Sequence, residues 1–237
     1  MSQKSSFTVV IPCYNEAESV RNFLIELSDF EKAFTKSYPN TSLSIKIVDN
    51  NSTDNSLYLL QQGTLGTATQ ILKCRSQGYG AALKFGFESS DSDYYAFADL
   101  DNTYPLKDLI VMFKLIQVKD AEMVLGARVH DQSEIEPIRR LGNLIYRRLT
   151  NLLFSSEISD SCSGMRIFSN RVKSQILALN RSDLSFSIEM TAKALKHGWA
   201  ILEYPIGYRD RLGKSKLSVP IDGFKFFFVL MRVRFFG

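Results

Sequence analysis

A chain of 237 residues, 45% hydrophobic and 23% charged, has an ordinary globular composition and enough apolar mass for one sizeable core. A net charge of +4 is too mild to point to nucleic acid, which needs a concentrated basic patch. Three far-separated cysteines, Cys13, Cys74 and Cys162, with only His130 and His197 beside them, give no zinc-type ligand spacing and fit a reducing, cytosolic compartment.

No basic-then-apolar leader opens the sequence, so the sequons at Asn40 and Asn51 are expected to be idle. Phe7 to Ile11 (FTVVI) reads as a buried strand, and behind it Val20, Phe23, Leu24, Leu27, Phe30 and Phe34 recur at helical spacing. LSIKIVD is a second strand opening into NNSTD, where Ser52, Thr53 and Asp54 suit the cap of a helix around Leu57 to Leu60. TQILKC and GYGAALKFGFES make a third strand and helix, YYAFAD and PLKDLIVMFKLI a fourth pair, and AEMVLGA a fifth strand. Strands alternating with helices in this way predict the α/β class, a mostly parallel central sheet flanked by helices on both faces. No internal repeat or low-complexity linker divides it.

In such a sheet ligands bind beyond the carboxyl ends of the strands, near the point where strand order reverses. PCYNE follows the first strand, Asp49 ends the second, and Asp99 and Asp101 follow the fourth, so these groups are expected to converge on one edge. A single Asp at a strand end is commonly only a turn former or cap; the set together points to a site. Two carboxylates one residue apart can face one cleft and form a hard-oxygen site for Mg²⁺ or Mn²⁺ that leaves positions for water or phosphate oxygens. A nucleotide diphosphate would complete it, and the cation would neutralise charge building on the departing diphosphate. No GxxxxGK[ST] loop is present, and GYGAA at Gly78 lacks the third glycine of a dinucleotide fingerprint and does not follow the first strand.

VVIPCYNEAESV, IVDNNSTDNS, YAFADLDNTYP, LGAR, SCSGMRIFS, FSIEMTAKALKHGWAILEYPIGY and YRDRLGKSKL, in this order, resemble a family 2 inverting glycosyltransferase with the GT-A fold. Within that family the chain is most similar to the dolichyl- or polyprenyl-phosphate sugar synthases. The resemblance runs from about Phe7 to about Gly223. PxYNE with D-x-D carries the superfamily, and R-x-R-x-G-x-SKL with a following DG carries the lipid-phosphate branch.

The resemblance implies a GT-A-like nucleotide-diphospho-sugar transferase fold, a nucleotide-sugar donor such as GDP-mannose or a UDP-hexose, Mg²⁺ or Mn²⁺, and a polyprenyl or dolichyl phosphate acceptor. It places Pro12, Tyr14 and Glu16 in the nucleotide pocket, with Asp49 reaching the base or ribose. Asp99 and Asp101 match the D-x-D motif, Asp101 being the expected direct metal ligand. Thr103 stands where related mannose synthases often carry Gln, and its shorter hydroxyl leaves part of that metal position to water. Arg128 would contact the diphosphate or the acceptor phosphate; Arg211, Ser215 and Lys216 match the basic loop that closes over the donor phosphates. Asp160 sits where similar enzymes place an acidic residue near the acceptor. A hydroxyl acceptor would need a base there, whereas a phosphate acceptor is already ionised and needs holding, so positioning is expected of Asp160. Arg139, Arg140, Arg147 and Arg148 either hold that phosphate or form a solvated, lipid-gripping helix face. His197, just before Gly198, reads as a helix-end residue.

The final IDGFKFFFVLMRVRFFG is densely apolar, but Lys225, Arg232 and Arg234 interrupt a run already shorter than the roughly 20 residues that span a bilayer. Residues 1–217 are therefore expected to be the catalytic domain and 218–237 an amphipathic helix lying in a membrane interface, on the cytosolic face. A core-packed final helix is the alternative. Two rival functions remain: the same fold with a hydroxyl acceptor, and a noncatalytic nucleotide-sugar-binding, membrane-associated protein.

Overall fold

Alternation in the first apolar run sends Phe7, Val9 and Ile11 into one core and Val10 into another, as a strand covered on both faces requires. The computed structural model describes residues 4–128, 137–213 and 215–236, with the side chains of Pro137, Arg139 and Val219 outside that description. His130 and the Arg139 side chain therefore lie outside the described residues.

In chain order the elements are β1 (Ser5–Cys13), α1 (Ala17–Ser37), β2 (Thr41–Asp49), α2 (Ser56–Gln62), β3 (Thr69–Lys73), α3 (Tyr79–Glu88), β4 (Tyr94–Phe97) and α4 (Asp108–Lys119). There follow β5 (Met123–Arg128), α5 (Pro137–Phe154), β6 (Arg166–Ser169), α6 (Lys173–Leu177), α7 (Phe186–Lys196), β7 (Ile201–Ile206) and α8 (Val219–Phe236). Among the described residues seven strands form one sheet, in the order β3-β2-β1-β4-β6-β5-β7. Only β6 runs antiparallel to its neighbours, pairing with β4 on one side and β5 on the other. The sheet is thus mostly parallel, as the alternation predicts, with one reversed strand. The chain runs outward from β1 to β3 and returns across β1 to β4, so the carboxyl ends of β1 and β4 flank the reversal point.

Phe7, Phe30, Phe34 and Phe113 pack the face covered by α1 and α4, with Phe7 and Phe113 rings 4.6 Å apart. Phe87, Phe97, Phe168 and Phe186 fill the opposite face under α3, α6 and α7. Each such ring buried contributes about 2–3 kcal/mol of transfer free energy. A third cluster lies off the sheet, where Phe226, Val229, Leu230 and Val233 of α8 pack on Ile188 and Ala192 of α7 and beside Tyr146 and Leu149 of α5.

The expected cap of α2 is only partly as read. Asp54 does accept from the Ser56 backbone N–H at 2.9 Å and its hydroxyl at 2.5 Å. Ser52 and Thr53 turn instead to Asn15, Ser52 accepting the Asn15 N–H at 3.2 Å and Thr53 donating its N–H to Asn15 Oδ1 at 2.7 Å. They zip the loop after β2 to the loop after β1. His197 ends α7, and Gly198 follows at φ 67°, a left-handed turn that glycine adopts freely.

Candidate active site

Beyond the carboxyl edge a cavity of about 370 Å³ is lined by residues from both halves of the chain. Pro12, Tyr14 and Glu16 after β1 stand in its wall, as do Asp99, Asp101 and Thr103 after β4, Arg128 at the end of β5, and Arg211, Ser215 and Lys216 before α8. Asp49 does not: it is buried, and its Oδ1 accepts the Ser52 N–H at 3.3 Å. Asn50 takes that place in the lining, its amide donating to the Ser76 carbonyl at 2.6 Å and its Oδ1 accepting the Gly78 N–H at 2.6 Å.

The acidic pair is held from several sides. Tyr79 donates its hydroxyl to Asp99 Oδ1 at 2.8 Å. Thr103 donates its hydroxyl to Asp101 Oδ1 at 2.5 Å and its N–H to the same oxygen at 3.1 Å. Thr103, expected as a metal ligand, instead orients the Asp101 carboxylate in this structure. Asp101 Oδ2 lies 2.6 Å from Arg211 Nη1, and the other Arg211 amino group pairs with Glu16 Oε1. Lys216 Nζ meets the same Glu16 oxygen and the Asn15 carbonyl, each at 2.7 Å. Burial, then the neighbouring Asp101 charge, pushes the Asp99 carboxyl up to about 7. Burial raises Glu16 too, against the opposing pull of Lys216 and Arg211.

Among the described residues no cluster of three or more His, Cys, Asp or Glu side chains could hold a metal alone. Two crowded carboxylates that repel one another fit a hard divalent cation that takes its remaining ligands from water and phosphate oxygens. The donor set thus suits Mg²⁺ or Mn²⁺ shared with a diphosphate.

Arg128 Nε and Nη2 meet the two oxygens of Asp160 at 2.6 and 2.7 Å, a bidentate pair, and Cys162 N–H adds a bond at 3.1 Å. Burial disfavours the Asp160 carboxylate, but the Arg128 guanidinium outweighs it and holds the group below the usual carboxylate range. Arg128 also lies over the Tyr208 ring, 5.7 Å from its centre. Of the four arginines read either as phosphate holders or as a solvated, lipid-gripping face, Arg140, Arg147 and Arg148 do not line the cavity; α5 presents Ile138, Gly142, Asn143 and Tyr146 to it instead. Opposite them stand Leu217, Gly223 and Phe226, and Tyr146 donates its hydroxyl to the Gly223 carbonyl at 2.7 Å.

Several participants carried no readable signal as functional residues. Gly78 sits at φ 133°, and a Cβ there would lie 2.2 Å from the Ser182 carbonyl. Gly78 thus serves this close approach, and a Cβ on Gly80 would lie 2.8 Å from the Phe186 side chain. A Cβ on Gly164 would lie 2.5 Å from Asp99 Oδ2. Behind the wall Arg166 is wholly buried, bonded to the Ser163 and Ser161 carbonyls at 3.1 and 3.2 Å, and burial lowers its pKa to about 10.

The fold is similar to that of glucosyl-3-phosphoglycerate synthase of Mycobacterium tuberculosis, crystallised with Mn²⁺, UDP and glucosyl-3-phosphoglycerate, with a TM-score of 0.74 over 97% of this chain and 80% of that one at 16% identity. The fold is that of the GT-A-like glycosyltransferases. Residues 8–177 match glycosyl transferase family 2, and the chain belongs to that family. A dolichyl-phosphate hexose transferase of Haloferax volcanii is 30% identical over 150 residues, 63% of this chain and 64% of that protein. A low-salt glycan biosynthesis hexosyltransferase of the same organism is 29% identical over 159 residues, 65% of this chain but only 38% of its own length. The dolichyl-phosphate beta-glucosyltransferase of Saccharomyces cerevisiae is 28% identical over 241 residues, 92% of this chain and 71% of the yeast protein. The alignments to the two Haloferax proteins thus span less than two thirds of either.

Proposed function

We propose that the chain transfers a hexose, with inversion, from a nucleoside-diphosphate donor such as GDP-mannose or a UDP-hexose to polyprenyl or dolichyl phosphate at a membrane surface. The observation that carries this is the continuity of one cavity, from the acidic pair and basic loop to an apolar wall built by α5 and α8. The names of the Haloferax and yeast relatives support a lipid phosphate acceptor.

Pro12, Tyr14, Glu16 and Asn50 line the end that would take the nucleotide, with Asp49 bracing the loop behind them. Asp99 and Asp101 would hold the divalent cation, Thr103 fixing the Asp101 rotamer. When bound, the cation supplies Lewis-acid neutralisation of the leaving diphosphate. Arg211, Lys216 and Ser215 would face that diphosphate from the basic loop. An oxygen of the acceptor phosphate attacks the anomeric carbon from the face opposite the diphosphate. The bond from that carbon to the diphosphate oxygen breaks, and its electron pair leaves with the nucleoside diphosphate. Arg128, locked by Asp160, offers a fixed cation on the acceptor side. The attacking oxygen is already ionised, so no proton has to be removed, and both Asp160 oxygens are committed to Arg128.

Among the described residues no helix is long and apolar enough to cross a membrane. Residues 218–237 serve as an interfacial element in this reading. α8 has two apolar faces: Phe226, Val229, Leu230 and Val233 pack inward, while Ile221, Phe224, Phe228 and Phe235, at i, i+3, i+7 and i+14, are exposed. Leu141, Ile145 and Leu152 of α5, at i, i+4 and i+11, are exposed as well. Lys225, Arg232, Arg140 and Arg148 flank these stripes, which suits the cytosolic face of an anionic bilayer.

Donor turnover measured with and without polyprenyl phosphate in lipid, scanning GDP- and UDP-sugars with Mg²⁺ or Mn²⁺, tests the reading. Lipid-linked sugar formed only with metal, and lost in Asp101→Ala, is expected. Metal-dependent donor hydrolysis without transfer to any lipid phosphate would refute the acceptor.

A further inference from the structure

The carboxylate oxygen that a divalent cation would use is already bonded to a cation of the chain itself. Asp101 Oδ2 lies 2.6 Å from Arg211 Nη1, with the two side chains 5% and 21% exposed. The other Asp101 oxygen is taken by Thr103. A Mg²⁺ or Mn²⁺ ion binds a carboxylate oxygen at about 2.0–2.2 Å, so in this geometry it would be driven against the guanidinium. Arg211 and the metal therefore compete for Asp101 Oδ2.

The backbone of the basic loop is anchored beside this pair. Leu212 N–H donates to the Asp101 carbonyl at 3.2 Å, Arg209 N–H to the Thr103 carbonyl at 3.0 Å, and Ser19 Oγ to the Leu212 carbonyl at 3.0 Å. Arg211 can therefore change partners by swinging its side chain while the loop stays in place. Its present bonds are incomplete. Arg211 Nε and Glu16 Oε2 are shielded from solvent without a hydrogen-bond partner among the described residues. Shielded, unsatisfied polar atoms raise the free energy of the arrangement that contains them. A diphosphate offers Arg211 and Lys216 more acceptor oxygens than Glu16 and Asp101 do.

We propose that Arg211 is a displaceable cation that closes the metal position in the free protein, making metal and donor diphosphate bind cooperatively. The diphosphate draws Arg211 and Lys216 away from Asp101 and Glu16, and Asp101 Oδ2 becomes available to the metal. This rests on the metal-assisted nucleotide-donor reading and deepens it into how the same site is controlled. Linkage makes the coupling reciprocal, the metal tightening the nucleotide by the same factor.

The test is a Mn²⁺ titration followed by electron paramagnetic resonance, with and without GDP or UDP, on the full chain and on Arg211→Gln and Arg211→Lys. Wild type is expected to bind Mn²⁺ weakly alone and at least about tenfold tighter with the nucleotide, or about 1.4 kcal/mol of coupling. Arg211→Gln should bind Mn²⁺ alone about tenfold tighter than wild type and lose most of the coupling; Arg211→Lys should stay near wild type. The proposal is overturned if Arg211→Gln leaves the nucleotide-free Mn²⁺ affinity unchanged or weaker, or if Arg211→Lys tightens it as much as Arg211→Gln. Wild type that binds Mn²⁺ and nucleotide without coupling overturns it while leaving the donor site standing. Wild type that binds no nucleotide under any metal condition removes the donor reading and the proposal with it.

Discussion

Replacing Asp160 with Asn separates a positioning carboxylate from a catalytic base. The pair with Arg128 is bidentate, 2.6 and 2.7 Å, with side chains 10% and 2% exposed. Removing one partner leaves a buried guanidinium uncompensated, which costs about 3–5 kcal/mol. At about 2–4 °C per kcal/mol for a chain of this size, the melting temperature at pH 7 should fall by roughly 6–20 °C. The carboxylate is held below its ordinary value of 3.8, so its contribution is fully present above that pH and is lost as pH falls through the lower, folded value. The gap between wild type and Asp160→Asn should therefore persist from pH 7 down to about pH 4 and close only below it, as read by circular dichroism melts. Transfer to polyprenyl phosphate, measured at a temperature where the variant is folded, should be reduced by a weaker hold on the acceptor and not abolished. A variant that melts with wild type at pH 7 yet has no turnover with donor still bound would refute this reasoning and make Asp160 a base.

A Cβ on Gly142 would meet nothing within 4 Å, so Gly142→Leu should keep the fold while filling the apolar groove. It should raise the KM for polyprenyl phosphate about tenfold or more, leave donor affinity unchanged, and affect a short-chain prenyl phosphate less. Phe224→Asp with Phe228→Asp alters only exposed side chains and should leave the melt unchanged while cutting cosedimentation with phosphatidylserine vesicles by about tenfold or more. Gly164→Ala places a methyl 2.5 Å from Asp99 Oδ2 and 3.2 Å from the Tyr104 ring; about 1–3 kcal/mol of stability and most of the Mn²⁺ affinity measured with nucleotide should be lost.

The first five strands were legible because each is an unbroken apolar run followed by helical spacing, and the acidic pair because a strand cannot continue through Asp99 and Asp101. β6 was not legible. Its four residues, RIFS, are too short to show a period and begin with Arg166, whose burial no local pattern signals. β7 holds Glu203 and Pro205, which interrupt any strand pattern in the sequence; its place at the sheet edge tolerates both. Asp49 was placed by its position at a strand end, which fixes the edge it reaches but not whether its side chain turns toward the cavity or the next loop. The arginines of α5 could be read as phosphate ligands or as a solvated face because charge is visible in sequence and helix rotation is not. Gly142 and Tyr146, four residues apart, face the cavity, whereas Arg140 and Arg148 are exposed.

Two buried aspartates, Asp99 in the cavity wall and Asp160 behind Arg128, are driven in opposite directions by their surroundings, and this division bears on the acceptor. Asp99 is buried beside another carboxylate and is pushed up to about 7; Asp160 is buried beside Arg128 and is held down. The first environment is short of positive charge, which a divalent cation would supply. The second is already balanced, and its carboxylate has both oxygens in strong bonds. Removing a proton from a hydroxyl acceptor would require Asp160 to give up the charge pair that keeps Arg128 in place. An acceptor that brings its own negative charge needs nothing from Asp160 except that Arg128 stay where it is, and a lipid phosphate is such an acceptor.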